Sequence, residues 1–74
     1  MTAKLYYRCR HCRAQTCITV HIKSNDWQSA VIHIANGIMT DVVESDICFV
    51  TKFHCCDDND SQFGVNELIK VTKT

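Results

Sequence analysis

The chain of 74 residues has no proline and only two glycines, Gly37 and Gly64. Its formal net charge is zero, because eight Lys and Arg balance eight Asp and Glu. So few turn-forming residues argue against a loop-rich or low-complexity chain, and no linker or repeat divides the sequence. We therefore expect a single domain spanning residues 1–74.

Long apolar runs are also missing near the start of the chain. The stretch MTAKLYYRC has no extended apolar segment behind its basic residue, so it predicts neither a signal peptide nor a membrane span. We expect a cytoplasmic protein without a membrane partner. Disulfides are disfavoured in a reducing cytoplasm, where clustered cysteines more often hold metal or do redox work.

The zero net charge and the missing catalytic motifs reduce the number of functional classes that fit the chain. A neutral chain gains little counterion-release affinity for nucleic acid, so a protein partner is favoured over DNA or RNA. The sequence has no glycine-rich phosphate loop, no H-E-x-x-H motif and no Ser-His-Asp pattern. We therefore expect a binding protein and not an enzyme.

Cysteine is the residue that the chain has in excess, with six in 74 residues. Cys9 and Cys12 form a C-x-x-C knuckle, which supplies two of the four nitrogen or sulfur ligands that tetrahedral zinc requires. The other dense run of soft ligands is His54, Cys55 and Cys56. We predict one structural Zn²⁺ per chain bound by Cys9, Cys12, Cys55 and Cys56, with His54 and Cys56 as the alternative second pair.

The remaining cysteines, Cys17 and Cys48, fall within predicted strands. At such positions a cysteine is most often a small, buried or half-buried side chain. We therefore expect neither of them to bind the metal.

The hydrophobic pattern predicts the main elements. KLYYRC and the alternating TCITVHIK are typical of strands, and they flank the knuckle as a hairpin would. From Trp27 to Val43 the apolar residues share one helical face, although Asn36-Gly37 is also typical of a type I′ hairpin turn. DICFVTKFH predicts a further strand, and the type of FGVNELIKVTKT is left open. We expect a small α+β, zinc-ribbon-like domain in which a central helix and a further strand follow a β-hairpin knuckle. The alternative is an all-β meander that turns at Asn36-Gly37.

Three segments together resemble a known family. YYRCRHC near the start, MTDVVESD in the middle and ICFVTKFHCC thereafter are similar to the anti-sigma-F factor Fin of endospore-forming bacteria. The resemblance implies a small zinc protein that binds a sporulation sigma factor and blocks its transcription. Cys9 and Cys12 would take the first pair of ligand positions and the HCC run the second. Three features differ: the family's second C-x-x-C is shortened here to Cys55-Cys56, Arg13-Ala14 stand where the family has a glycine, and the tail FGVNELIKVTKT is unlike that of the family.

These observations lead to three functional hypotheses. The first is a zinc-stabilised module that regulates transcription by binding a sigma factor or RNA polymerase, with Tyr7, Arg8, Arg10 and Arg13 at the partner surface. The second is a nucleic-acid-binding ribbon, in which the same arginines contact phosphate and Tyr6 and Tyr7 stack on bases. The third is a thiol redox sensor, which would need an exposed cysteine of low pKa.

Overall fold

The computed structural model describes residues 1–38, 42–43, 52–57, 59 and 61–74. Within these residues there are four strands and one helix: β1 (Thr2–Cys9), β2 (Gln15–His21), α1 (Trp27–Ala35), β3 (Phe53–Cys55) and β4 (Phe63–Lys73). The strands form an antiparallel sheet in the order β2-β1-β4-β3. The expected combination of a small sheet with a helix is therefore present.

Strand β1 lies inside the sheet and has two distinct faces. Successive side chains of a strand point to opposite sides, so every second residue shares an environment. The inner face of β1 is buried and consists of Ala3, Leu5, Tyr7 and Cys9. The residues between them lie on the outer face, where the Lys70 ammonium sits 4.4 Å from the centre of the Tyr6 ring.

The predicted β1–β2 hairpin is confirmed. The two strands pair from Thr2 with His21 to Arg8 with Gln15. The connecting knuckle is closed by two backbone hydrogen bonds of 2.9 Å, from the Cys9 N–H to the Ala14 carbonyl and from the Arg13 N–H to the Cys9 carbonyl. Since the position after Cys12 must adopt a positive φ to close this turn, Arg13 is left-handed, with φ of 64°.

Helix α1 begins where the sequence predicts and ends earlier. The Asp26 carboxylate caps its start by accepting hydrogen bonds from the Gln28 and Ser29 N–H groups. At its end, Gly37 has φ of 77° and donates its N–H to the Ile34 carbonyl, and Ile38 donates to the His33 carbonyl. These bonds form a Schellman motif, which satisfies the last carbonyls and stops the helix.

The Asn36-Gly37 pair therefore ends a helix and does not make a hairpin turn. The expected helix to Val43 is too long, because Ile38, Val42 and Val43 lie beyond its end. Val42 and Val43 are nevertheless buried, and Val43 forms an isolated bridge with Ile22. Met39, which belongs to the same predicted face, lies outside the described residues.

The hydrophobic core lies between α1 and the β1–β2 part of the sheet. On α1, Ala30 and Ile34 are the buried residues, and Ile32 on the opposite side is 60% exposed. Among the described residues, the cluster consists of Ala3, Leu5, Tyr7, Val20, Ile22, Ala30, Ile34, Val42 and Val43. Leu68 and Val71 of β4 pack against this cluster, whereas none of the described residues of β3 belongs to it.

The C-terminal segment is a strand. β4 pairs with β1 along most of its length, and a bulge at Ile69 shifts the register between Tyr6 and Tyr7. The predicted strand DICFVTKFH contributes Phe53 and His54 to β3, whereas its positions 46–51 lie outside the described residues. The nine residues of α1 are too few to cross a membrane, and no other described part of the chain offers a helix that could.

Candidate metal centre

Four side chains meet at the knuckle end of the sheet. The sulfur atoms of Cys9, Cys12 and Cys56 and a ring nitrogen of His54 all lie within 4.8 Å of one another. The Cys9 and Cys56 sulfurs are 3.6 Å apart, and the His54 Nδ1 atom is 3.3 Å from the Cys12 sulfur and 3.8 Å from the Cys56 sulfur. The four donor atoms therefore form one compact cluster.

These separations fit a tetrahedral metal ion. Bonds of about 2.3 Å to sulfur and about 2.0 to 2.1 Å to nitrogen place two sulfurs about 3.8 Å apart, and a sulfur and a nitrogen about 3.6 Å apart, on the edges of a tetrahedron. The three distances above agree with these edges to within about 0.3 Å. Since the remaining pairs also lie within 4.8 Å, the four residues are close enough to hold one metal ion.

The second pair of residues is His54 and Cys56, the alternative considered from the sequence, and Cys55 is not in the cluster. Strand geometry explains the difference, because His54 and Cys56 are two residues apart and point to one side while Cys55 points to the other. The Cys55 thiol donates instead to the Asp57 carbonyl, at 3.0 Å. A ligand set of Cys9, Cys12, Cys55 and Cys56 would require β3 to rotate.

The knuckle backbone favours the ionised form of Cys9. Its thiol receives hydrogen bonds from the backbone N–H groups of Cys12, which has the largest effect, and of His11. These bonds outweigh the effect of burial and lower the pKa of Cys9 to about 6. A thiolate is the form that binds metal, so the knuckle prepares this ligand.

Cys56 is shifted in the opposite direction. Burial is the main cause, and hydrogen bonds involving the Cys12 and Cys9 thiols add to it, so the pKa of Cys56 rises to about 11. Several thiolates this close together repel one another unless a cation lies between them. The crowding of the sulfurs therefore itself favours a bound cation.

Gly64 provides the space for this cluster. It pairs with His54 on the inner face, and a Cβ atom built there would overlap the Cys9 sulfur and lie 2.9 Å from the Cβ atom of His11. The same atom would be 3.3 Å from the Cys56 sulfur. A residue with any side chain at this position would displace the ligands.

The turn between β3 and β4 is held by its own hydrogen bonds. The Cys56 N–H donates to the Gln62 carbonyl at 2.8 Å. The Asp57 carboxylate accepts from the Ser61 N–H at 2.9 Å and from the Ser61 hydroxyl, and these bonds lower the pKa of Asp57. These hydrogen bonds help to fix the position of Cys56.

The residues expected at a partner surface divide into two groups. Tyr7 is only 3% exposed and burial raises its pKa to about 12, so the expectation that Tyr7 contacts a partner is wrong. Arg8, Arg10 and Arg13 are exposed and, with Cys9 and Glu67, line a pocket of about 160 Å³, here called the arginine pocket. Within it, Arg8 forms an ion pair with Glu67 at 2.8 Å, which lowers the pKa of that carboxyl group.

Two more observations concern residues outside the cluster. Cys17 is exposed, so the expected burial of this cysteine is wrong, while Cys48 lies outside the described residues.

Asn66 supports the site, since its buried side-chain amide donates to the Phe53 carbonyl at 3.3 Å and joins β4 to β3. Neither Gly64 nor Asn66 belongs to a motif that marks the site in the sequence, although a glycine inside a strand is a known sign of close approach.

Comparisons with protein-family models, with curated proteins and with solved structures find no match to this chain. The assignment of the metal centre therefore depends on its own geometry and on the chemistry of its donor atoms. The similarity to the Fin family remains an expectation from the sequence motifs.

Proposed function

We propose that this chain is a zinc-stabilised protein-binding module that regulates transcription by occupying a sigma factor or an RNA polymerase subunit. The observation that carries the proposal is the closed cluster of three sulfurs and one nitrogen. The regulatory part also uses the resemblance of YYRCRHC and FHCC to the Fin family, which implies such a partner.

Zinc is the metal that best suits this cluster. Three cysteines and one histidine in tetrahedral arrangement are a common structural zinc set, and soft thiolates disfavour Mg²⁺ and Ca²⁺. Bound there, the ion would crosslink the knuckle to the β3–β4 hairpin. All four positions would be filled by protein atoms, which leaves none for a water or substrate, so we propose a structural role and no enzymatic activity.

The metal part is tested by loading and substitution. We expect one zinc per chain by elemental analysis, and loss of zinc when Cys9 or Cys12 is changed to Ser. Cys17→Ser is the matched control, because this cysteine is exposed and is not in the cluster. If Cys17→Ser releases the metal as readily as Cys12→Ser, the proposed ligand set is wrong.

The partner is tested by titration. The purified zinc protein is titrated against sigma factor, core polymerase and duplex DNA at two salt concentrations. We expect one-to-one binding to one of the proteins, and we expect Arg10→Glu or Arg13→Glu to slow association without releasing zinc, since charges at the edge of an interface act chiefly on the on-rate. Tight binding to bare DNA with a steep salt dependence, and none to either protein, would establish the nucleic-acid hypothesis instead.

A further inference from the structure

The outer face of the β3–β4 hairpin carries exposed apolar side chains. Phe53 and Val65 are directly paired, and the next pair on the same face is Cys55 with Phe63. Phe53, Phe63 and Val65 are 43%, 50% and 52% exposed, respectively. Residues paired across antiparallel strands lie side by side, so these three form one continuous surface, here called the apolar patch.

The arginine pocket lies directly beside this patch. The Arg10 N–H donates to the Val65 carbonyl at 2.9 Å, so the knuckle continues the sheet where the patch ends. Two residues further along β4, Glu67 is paired with Arg8. The pocket contains three guanidinium groups and one carboxylate, which leaves an excess of two positive charges (3 − 1 = 2).

A ligand for both features must combine apolar groups with negative charge over a short distance. Adjacent strands are about 5 Å apart, and alternate residues of an extended segment are about 7 Å apart. A segment with an apolar residue two positions from a carboxylate can therefore reach the patch and the pocket together. Arginine is well suited to the carboxylate, because its planar donors bind such a group through two hydrogen bonds.

We propose that the apolar patch and the arginine pocket together bind an acidic protein segment, with an apolar side chain on Phe53, Phe63 and Val65 and a carboxylate between the arginines. This rests on the proposed function, since it specifies the partner surface of the same module. A nucleic-acid strand fits less well, because Glu67 stands within the pocket and would repel successive phosphates.

Fluorescence anisotropy with a defined probe tests the proposal. The probe is a labelled peptide with Glu-Ser-Phe-Ser repeated three times, which places Glu and Phe at alternate odd positions. Its controls are a peptide with Lys in place of Glu, a peptide with Ser in place of Phe, and a single-stranded DNA of twelve nucleotides. We expect the zinc-loaded protein to bind the first peptide at least about tenfold more tightly than any control.

Substitutions then locate the binding surface. Phe63→Ser, Val65→Thr and Arg10→Glu should each weaken binding of the peptide by about tenfold. Ile32→Ser is the matched apolar control, because Ile32 is 60% exposed on α1, and Lys4→Glu is the matched charge reversal on exposed β1. Val65→Thr preserves shape and strand propensity, and the zinc content of each variant shows that the hairpin is still formed.

The outcomes separate this proposal from the regulatory one. No preference for the Glu-Phe peptide, tighter binding to DNA, or equal losses in the Ile32 and Lys4 controls would each overturn the docking surface. If sigma factor or polymerase binds but Phe63→Ser, Val65→Thr and Arg10→Glu leave that affinity unchanged, the docking surface is wrong and the regulatory function stands. If the peptide binds as expected and neither protein does, the surface stands and the regulatory function is wrong.

Discussion

The two glycines of the chain allow a sharp test of the metal centre, because they are needed for different reasons. A Cβ atom at Gly64 would overlap the Cys9 sulfur, whereas a Cβ atom at Gly37 would have nothing within 4 Å. Gly37 instead has φ of 77°, which is unfavourable for any residue with a side chain. Gly64→Ala should therefore damage the ligand cluster, whereas Gly37→Ala should disturb only the end of the helix.

The size of the effect at Gly64 follows from how little the cluster can move. Cys9 is fixed by its place in β1 and by the 2.9 Å bonds that its N–H and carbonyl make in the knuckle. Forcing one extra carbon into a packed site usually costs about 1 to 3 kcal/mol. Since each 1.4 kcal/mol is a factor of ten, Gly64→Ala should weaken metal binding by about 5-fold to 150-fold.

Gly37→Ala is the control. It should lower the free energy of unfolding by about 1 kcal/mol, through the strained left-handed φ, and leave metal affinity unchanged. Metal affinity is measured by competition with a chromophoric chelator, and unfolding by denaturant titration of the loaded protein. Wild-type metal affinity in Gly64→Ala, or an equal loss of affinity in both variants, would show that the space at Gly64 is not needed by the metal ligands.

Three further predictions follow from the site. Cys56→Ser should sharply weaken metal binding and Cys55→Ser should not, because only Cys56 lies in the cluster; equal metal content in the two variants would contradict this. Arg13→Gly should give a loaded protein about 1 kcal/mol more stable to denaturant than Arg13→Ala, since both remove the charge and only glycine relieves the φ of 64°; equal stability would show that the knuckle is unstrained. Metal binding near pH 8 should release at least one proton, because Cys56, with a pKa of about 11, is protonated at that pH and must lose its proton to bind the metal, whereas Cys9, with a pKa of about 6, is already ionised. Calorimetry in buffers of different ionisation enthalpy measures the number of protons released, and a value of zero would disprove the prediction.

Metal affinity should fall as the pH is lowered, because protons compete with the metal for the thiolates. Cys9 stays ionised until the pH falls to about 6, so between pH 8 and pH 7 its protonation costs no affinity, whereas the proton that the metal displaces from Cys56 lowers the affinity by about tenfold for each unit of decrease in pH. Below about pH 6 protonation of Cys9 adds a second loss, and the dependence should become steeper.

The hairpin and the start of the helix could be predicted because each depends on local pattern. Alternation identifies β2, and the polar residues of SND at 24–26, the last of which is the N-cap Asp26, stand directly before the apolar pattern of α1. The end of the helix could not be predicted in the same way. Ile38, Val42 and Val43 continue the helical spacing of apolar residues, but Val42 and Val43 are buried through contacts outside the helix, one of them the bridge to Ile22.

The type of the last segment could not be predicted, because a bulge interrupts its alternation. Gly64, Asn66 and Leu68 occupy the inner face at every second position, and the bulge at Ile69 moves the next inner residue to Val71. A period-2 pattern read across the whole segment is therefore broken in the middle. Only pairing with β1 reveals that it is one strand.

The two ambiguities of the site have one physical origin. In a strand, adjacent residues point to opposite faces. Which of Tyr6 and Tyr7 is buried, and whether Cys55 or its neighbours face the cluster, therefore depends on which alternate residues of the strand lie on the inner face. In β1, Cys9 lies on the inner face, so Tyr7, two residues before it, lies on the inner face as well. The same argument applied to β3 pairs His54 with Cys56, which the sequence alone left as an alternative.

The metal centre and the apolar patch lie on opposite faces of one hairpin, and this links them energetically. β3 is only three residues long, and its inner face contributes a metal ligand in place of apolar core residues. A short two-stranded hairpin without such support is marginal in water. Since β4 is anchored to β1 and the core, loss of the metal should release β3 first, and with it Phe53 and one side of the patch. A metal ion held by the cluster would therefore give so short a strand the support that it needs to present apolar side chains on its other face.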